Sequence, residues 1–311
     1  DHHASPNCIR GSLDLVKDAL SRVGVRGVLC YETTDRGGKR RRNLGLDENE
    51  RFVTENTSQR HFRGTIGGHA SFTLSDDSLR RLGELARLYD CGVHIHVAED
   101  RTDVLHAKNN CRVDLVRRLT ESGVLRRKSI AVHGVHLTKT QLAEVEKAGA
   151  WVVHNPRSNM NNGVGSAPLN WFGERSALGT DGFPADMFEE SKIGYFRNAE
   201  SPQRTEISRL PVMVQNGQRL AGEFFGRPFG TLGVGSPADL VALEYIAPTP
   251  MRKDNLHGHF LFGMSASAVR HVMVDGRWIV WNRQIVGIDE DAAMQRARHV
   301  AQRLWTRMRK L

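Results

Sequence analysis

The stretch GVHIHVAED (residues 92–100) places two histidines in an apolar run and a glutamate three positions after the second histidine. If the run is a strand, its side chains alternate, so His94 and His96 face the same way. The two histidines could then form a metal clamp. In the alternative arrangement His96 binds a metal alone, Glu99 moves protons to and from a water on that metal, and His94 packs inside the fold. The residues favour this second arrangement and leave the first one open.

Polar side chains also end several other apolar segments of the chain. They are Glu32, His69, His133 with His136, His154 with Asn155, and Asp181. In a (β/α)8 barrel the carboxyl ends of the strands form the face on which active sites are built. Unpaired polar groups inside a barrel are costly, so this recurrence favours a functional site over scattered core histidines.

The elements that carry these residues alternate between apolar runs and helical patterns, which is typical of βα units around a parallel sheet. Strands are predicted at 26–32, 67–75, 92–99, 129–137, 150–156 and 176–182. Helices are predicted at 76–90, 113–123 and 139–149, and Ser75 or Asp76 can cap the first of them. Beyond a helix that ends near residue 226, a D-G pair within 269–286 predicts an antiparallel hairpin.

Composition restricts the class of protein. The chain has 311 residues, of which 39% are hydrophobic and 25% charged, and this balance is typical of a globular protein. No apolar run approaches the roughly 20 residues of a membrane span, so we expect no membrane partner and a cytoplasmic location. The four cysteines are scattered without a C-x-x-C pair, which favours free thiols.

The formal net charge of +9 is spread along the chain and mixed with acids, so no nucleic-acid partner is expected. Its two densest segments have other interpretations. Residues 36–42 (RGGKRRR) are expected to form a loop. Residues 296–310 carry Val300, Leu304 and Met308 at helical spacing, which predicts a docked helix with its arginines in solvent.

Four segments, in this order, resemble strands five to eight of the deaminase and chlorohydrolase branch of the amidohydrolase superfamily: HVAE, AVHGVHL, VVHNPRSNMNNGVG and LGTDG. DHHASP, CYETTDRGG and LGTDGFPADMFEES are similar to the SsnA-type aminohydrolases in particular. The resemblance runs from residue 1 to about 285. It implies an α/β fold whose main domain, over residues 1–228, is a (β/α)8 TIM-type barrel. The first strand of that barrel is missing from this chain. A small β-sandwich module with a C-terminal helix would follow over residues 229–311.

The resemblance also implies one divalent metal ion, Zn or Fe, with His96 and Asp181 as ligands. Glu99 is then the catalytic proton shuttle, His133 orients the hydrolytic water or the substrate, and Asp181 also holds the nucleophile. His69 is implied to line the substrate pocket. One ion is expected rather than two, because the predicted fourth strand has no lysine that could bridge a metal pair.

Other polar residues near these motifs have two interpretations. Asn159 is assigned to substrate binding and, with Arg36, Arg157 and the loop 182–190, can contribute to selectivity. Each of these residues can equally serve the structure of its loop.

The function implied is hydrolytic deamination of a small amino-heterocycle, such as a purine- or pyrimidine-like compound, by metal-activated water. A homodimer is expected, because relatives commonly pair. The alternative is a non-catalytic or inactive barrel that serves binding or assembly, because the family's first-strand H-x-H, the source of two of its four ligands, does not occur in this chain. Either that motif lies upstream in a longer protein, as the start at Asp1 suggests, or the chain is inactive. Retention of Glu99, His133 and Asp181, each with its expected neighbours, favours the enzyme.

Overall fold

The computed structural model describes residues 1–201 and 204–310. Its first part contains parallel strands: β1 (His2–His3), β2 (Gly27–Tyr31), β3 (Phe62–Gly64), β4 (Ile66–Ala70), β5 (Val93–Val97), β6 (Ile130–His133), β7 (Trp151–His154) and β8 (Ser176–Leu178). They pair in the orders β1-β2-β3 and β4-β5-β6-β7-β8. Thr65 alone separates β3 from β4, and a parallel bridge between Thr33 and Gly68 joins the two sheets. Within the described residues, the outer edges of β1 and β8 have no partner strand.

Helices connect these strands as the predicted βα succession requires. They are α1 (Ser12–Val23), α2 (Gly38–Glu55), α3 (Asp76–Leu88), α4 (Arg101–Asn109), α5 (Leu115–Glu121), α6 (Lys139–Lys147), α7 (Pro156–Asn161), α8 (Met187–Ala199) and α9 (Arg209–Phe225). The Ser75 hydroxyl caps α3 by accepting a hydrogen bond from the Ser78 N–H. Of the two predicted caps, Ser75 or Asp76, the structure uses Ser75. At α6, Thr138 and Gln141 form a reciprocal capping box that satisfies backbone donors of the first turn.

Strand β5 shows how the sequence pattern directs its side chains. Val93, Ile95 and Val97 are fully buried in the main hydrophobic core, against apolar residues of the surrounding helices. The alternate residues His94 and His96 therefore face the other side of the sheet, as the period of two predicts. Close packing at the neighbouring strand requires a glycine, since a Cβ at Gly67 would lie 2.2 Å from the Tyr31 carbonyl oxygen.

The second part of the chain is an antiparallel sheet with helical additions. Its elements are β9 (Leu240–Leu243), α10 (Leu256–Gly258) with a π-helical turn (His259–Gly263), β10 (Val269–Val274), β11 (Arg277–Trp281), β12 (Gln284–Ile285) and α11 (Glu290–Met308). The sheet order is β12-β11-β10-β9, and Asp275 and Gly276 form the predicted hairpin turn. In the described residues this module is one sheet, where two packed sheets were expected. The predicted boundary at residue 228 falls between α9 and β9.

Two sequence-based predictions outside the site are wrong. Most of the expected loop 36–42 is helical, because α2 already begins at Gly38. Helix α11 exists but is not docked through its apolar stripe, since Val300, Leu304 and Met308 are 62%, 46% and 60% exposed. Helical spacing shows which residues share a face, and it does not show whether another surface covers that face. None of the helices in the described part of the chain has the length and apolar character needed to cross a bilayer.

Candidate active site

The ends of three strands carry the backbone strain of this region. Ala98 directly follows β5, His133 ends β6, and Asp181 lies shortly after β8; their φ angles are 50°, 77° and 51°. Residues other than glycine rarely adopt this left-handed conformation, and it tends to concentrate at functional sites. The strain at Ala98 sets the direction of the next residue, Glu99.

Two carboxylates converge on one nitrogen of His133. Its Nε2 lies 3.6 Å from the Glu99 Oε2 and 3.9 Å from the Asp181 Oδ2. The carboxylates have further partners, since Glu99 accepts a hydrogen bond from Asn162 (3.0 Å) and Asp181 accepts one from the Ser158 hydroxyl (2.6 Å). The structure therefore brings together the three residues that the sequence analysis proposed as catalytic.

The other nitrogen of His133 is held from behind. His133 Nδ1 lies 2.8 Å from the Asn159 amide oxygen, and the Asn159 amide nitrogen lies 3.2 Å from His154 Nδ1. An amide oxygen only accepts, so His133 carries its hydrogen on Nδ1 and presents Nε2 to the carboxylates. Asn159 is 1% exposed. Both ends of its amide are thus bonded to histidine rings, and the substrate contact expected from the sequence stays a prediction.

His96 lies against three other histidine rings, those of His2, His69 and His133. Its Nδ1 lies 2.7 Å from the His69 carbonyl oxygen, so this nitrogen donates and Nε2 keeps a free lone pair. The His96 and His133 ring centroids lie 5.4 Å apart, and those of His96 and His69 lie 5.3 Å apart. The His69 side chain itself bonds to the Thr73 hydroxyl (2.9 Å).

Two residues near His96 were not assigned to the metal site from the sequence. Ligand atoms of His2, Glu32 and His96 all lie within 4.8 Å of one another. The His2 imidazole is anchored by the Gly68 carbonyl oxygen, 3.1 Å from Nε2. His2 begins the short strand β1 and Glu32 directly follows β2, so only the pairing of these strands brings them to β5. The sequence marks Glu32 only as a residue at the end of a predicted strand. The spacing of the two histidines in DHH does not identify His2 as a metal ligand.

Burial controls the charge of these imidazoles. Desolvation lowers the pKa of His2 and His94 well below the usual value, and the closeness of other groups that would repel a positive charge there, mainly neighbouring imidazoles, lowers it further. The pKa of His69 falls to about 4 and that of His154 to about 3, mainly through burial as well. Burial raises the pKa of the Glu32 carboxyl, against the opposing effect of His96 and Arg36. The histidines are therefore neutral near pH 7, which is the form that binds metals and accepts hydrogen bonds.

A cavity of about 770 Å³ joins the parts of the site. Its lining includes His2, Glu32, His94, His96, Asn155 and Asp181. A second cavity of about 290 Å³ shares Glu32 and is bounded by Ile9, Tyr31, Thr34, Arg36 and Arg41. Both lie in or near the size range of small-molecule sites. His96 and Asp181, the ligands predicted from the sequence, thus face one space.

The donors around this space fit a divalent transition metal. Neutral imidazole nitrogens and carboxylate oxygens are the ligands that zinc accepts together. His96 has the backbone partner on its second nitrogen that metal-binding histidines usually have. Asp181 lines the cavity but lies outside the cluster of three donors, which is the one such group among the described residues.

Comparison with known proteins identifies relatives over most of the chain. The model of the Amidohydrolase family matches residues 1–279. A 5'-deoxyadenosine deaminase of Methanopyrus kandleri is 30% identical over 303 residues, which cover 94% of this chain and 70% of that protein. A 5-methylthioadenosine/S-adenosylhomocysteine deaminase of Desulforudis audaxviator is 27% identical over 305 residues, with 94% and 70% covered.

A solved structure shows the same fold. It is an adenosine deaminase from Xanthomonas campestris with bound zinc, which superimposes with a TM-score of 0.84 over 95% of this chain and 70% of that one. Its sequence identity is 22%, so the likeness concerns the fold. The barrel predicted from the sequence is thereby confirmed.

Proposed function

This chain belongs to the amidohydrolase family, and on that premise we propose that it is a metal-dependent hydrolytic deaminase of adenosine derivatives. The observation that carries the proposal is the convergence of Glu99 and Asp181 on His133 Nε2, beside His96. The names of the curated relatives agree with hydrolytic deamination. They also support the choice, among amino-heterocycles in general, of adenine nucleosides altered at the 5' position as the proposed substrates.

The reaction adds water to the ring carbon that bears the amino group and breaks its C–N bond, so that ammonia leaves and a carbonyl remains. A divalent metal ion, with His96 and Asp181 among its ligands, would lower the pKa of water so that hydroxide forms near neutral pH. Glu99 takes one proton of the attacking water and passes it to the ring nitrogen, and it then moves the second proton of that water to the amino group, which leaves as ammonia. His133 Nε2 orients the water or the substrate. Asn159 accepts a hydrogen bond from His133 Nδ1 and thereby leaves Nε2 facing the site.

The two cavities suggest how such a substrate is divided. The reacting ring occupies the larger cavity, where Glu32, His96 and Asp181 face it. The 5' part extends into the smaller cavity, whose apolar wall at Ile9 suits a deoxy or thioether group and whose Arg36 and Arg41 suit polar ends. His69, whose ring lies 5.3 Å from that of His96, then lies beside the reacting ring of the substrate.

Ammonia release tests the proposal directly. The zinc-loaded protein should deaminate 5'-deoxyadenosine, 5'-methylthioadenosine or S-adenosylhomocysteine. Glu99→Gln should lower kcat by about 10²–10⁴-fold, the usual contribution of a general acid or base, with its metal content intact. Glu84→Gln, an exposed change on α3, is the matched control and should keep wild-type turnover. No turnover of any adenine nucleoside by the metal-loaded wild type would overturn the proposal, and equal loss of metal and turnover in Glu99→Gln would make Glu99 a ligand.

Two further expectations from the sequence stay predictions. The chain is expected to pair as a homodimer and to act in the cytoplasm. Light scattering on the purified protein measures the first, and a mass of about 35 kDa, close to the 34.8 kDa of one chain, would contradict it.

A further inference from the structure

We infer that Phe183 forms an aromatic wall on which the planar ring of the substrate stacks, and that Arg157 holds this wall in place. The inference rests on the proposed function, because it names the residue that selects the ring used in that reaction. Phe183 lies two residues after Asp181, and both line the larger cavity. Arg157 lines neither of the two cavities. Of the two interpretations open for Arg157 from the sequence, its placement favours the structural one, and selectivity passes to Phe183.

The guanidinium group of Arg157 is bonded to protein atoms at each of its nitrogens. Nε lies 2.5 Å from Glu190 Oε2, Nη1 lies 2.5 Å from Glu189 Oε2, and Nη2 donates to the Pro184 carbonyl oxygen at 2.5 Å. The Arg157 backbone N–H also donates to Glu190 (3.0 Å). Arg157 is 7% exposed and Glu190 is fully buried, so these bonds are well shielded from water. The arginine therefore ties α7, which carries it, to α8 and to the loop 182–186 that precedes α8.

The backbone of this loop adds its own constraints. The Phe183 N–H donates to the Thr180 carbonyl oxygen (3.1 Å), and the Asp186 N–H donates to the Pro184 carbonyl oxygen (2.7 Å). Pro184 also restricts the backbone of Phe183, since a residue before proline is biased toward extended conformations. The Asp186 side chain then caps the first turn of α8. The position of the Phe183 ring is therefore set before any ligand binds.

One face of the Phe183 ring is covered, and the ring still borders the cavity. The guanidinium carbon of Arg157 lies over the ring, 5.5 Å from its centroid. A cation at this distance is attracted by the π electrons of the ring face. Phe183 is only half-buried and lines the cavity beside Asp181. A planar heterocycle in the cavity can therefore stack on the side of the ring that Arg157 leaves free, since every base offers a π face for such a contact.

Binding of 5'-deoxyadenosine tests the wall without turnover. Zinc-loaded Glu99→Gln protein, which should bind the nucleoside without converting it, is titrated with it in a calorimeter. Adding Phe183→Leu should raise the dissociation constant about 5- to 150-fold, the equivalent of the about 1–3 kcal/mol that a base–aromatic stack contributes. Phe183→Tyr keeps the ring and should bind nearly as the parent protein does. Phe196→Leu, an exposed change on α8, is the matched control and should bind as the parent does.

Kinetics and hydrogen exchange test the role of Arg157. In the enzyme with Glu99 intact, Phe183→Leu should raise KM and leave kcat nearly unchanged, because the stack is present in the ground state as well as in the transition state. Arg157→Met should also raise KM and should speed hydrogen exchange at residues 182–186. If Arg157 acts through Phe183, the double variant should have the KM of Phe183→Leu alone, whereas independent effects would multiply. Arg157→Lys keeps a charge beside Glu190 and should recover part of the affinity, and it replaces Arg157→Met if that variant does not fold.

The possible results separate this inference from the proposed function. Arg117→Met, which removes an exposed arginine paired with Glu121, is the control for the arginine change and should keep the wild-type KM. Phe183→Leu protein that binds and converts 5'-deoxyadenosine as its parent does would overturn the inference and leave the function standing. Multiplied effects in the double variant would overturn the role given to Arg157. Binding that depends on Phe183, without deamination by the wild type, would overturn the function instead.

Discussion

At the scale of single residues, the orientation of His133 depends on a buried amide. Asn159 lies between His133 and His154 and bonds to both rings. Burial lowers the pKa of His154 to about 3 and so favours the neutral ring, whose Nδ1 can accept a hydrogen bond from the amide nitrogen, which only donates. The amide is thereby held with its oxygen toward His133, so His154 acts on the tautomer of His133 through Asn159.

Asn159→Leu removes this control and should lower kcat more than it raises KM. The ring of His133 can then rotate or change tautomer, and a buried Nδ1 hydrogen is left without a partner at a cost of about 1–3 kcal/mol of stability. Steady-state kinetics and urea unfolding measure the two effects. Asn159→Asp keeps the acceptor for His133 and should retain more activity than Asn159→Leu. Asn161→Leu, an exposed change on the same helix, is the control. Equal kinetics in all three variants would contradict a positioning role for Asn159.

At the scale of elements, helix α4 holds the turn that aims Glu99. Asp103, in its first turn, is 2% exposed and accepts the Ala98 N–H at 2.9 Å. The Ala98 carbonyl oxygen accepts from the His136 N–H at 3.0 Å, so both sides of the strained residue are fixed. The orientation of Glu99, the proposed proton shuttle, therefore depends on Asp103, which does not line either cavity.

Asp103→Leu should reduce kcat toward the level of the Glu99 variant, because the buried Ala98 N–H loses its acceptor and the turn relaxes. Asp103→Asn keeps an acceptor oxygen and should retain most of the activity. Hydrogen exchange at residues 97–100 supplies a structural readout, with faster exchange expected in Asp103→Leu only. Wild-type exchange together with wild-type kcat in Asp103→Leu would show that the strand end is fixed by other contacts.

The same carboxyl makes stability depend on pH in a defined direction. Burial raises the pKa of Asp103 from 3.8 to about 6, against the effect of the Ala98 and Phe72 backbone and of Arg118. The folded chain therefore binds a proton between these values that the unfolded chain has released. The free energy of unfolding of the wild type, relative to Asp103→Asn, should fall as the pH rises from about 4 to about 6. Denaturant unfolding at several pH values measures it, and a difference that is constant with pH would contradict the raised pKa.

Local patterns predicted most of the elements but only part of the site. The alternation of Val93, Ile95 and Val97 was sufficient to place His96 inside the barrel, and the cap at Ser75 fixed the start of α3. The motifs around Glu99, His133 and Asp181 located three groups that do converge. His2 and Glu32 could not be associated with them, because β1 and β2 meet β5 only through sheet pairing across distant parts of the chain. The buried roles of Asn159 and Asp103 depend on hydrogen bonds that no spacing reveals.

At the scale of the whole molecule, one charged cluster joins the barrel to the antiparallel sheet. Arg26, just before β2, donates from Nε to Asp239 (2.8 Å), and its Nη2 lies 3.0 Å from Asp275 in the hairpin turn. Asp275 also pairs with Arg60 and with His61 Nε2 (3.0 Å). The Arg26 and Asp275 side chains are 11% and 9% exposed, so this contact is better shielded than the other ion pairs of the sheet.

Asp275→Asn should therefore destabilise the chain and loosen the sheet from the barrel. A double-mutant cycle with Arg26→Met should give a coupling energy of about 0.5–3 kcal/mol, the range for residues in one ionic network. The pairing with Arg60, His61 and Arg26 lowers the pKa of Asp275, so its stabilisation is complete above the unfolded value near 3.8 and is lost as the pH falls further. Urea unfolding at pH 7 and at about pH 3 measures both points, with the exposed Glu244→Gln as the control that should change little. Zero coupling at pH 7 would mean that apolar contacts such as Ile279 against Gly24 hold the two parts together without this cluster.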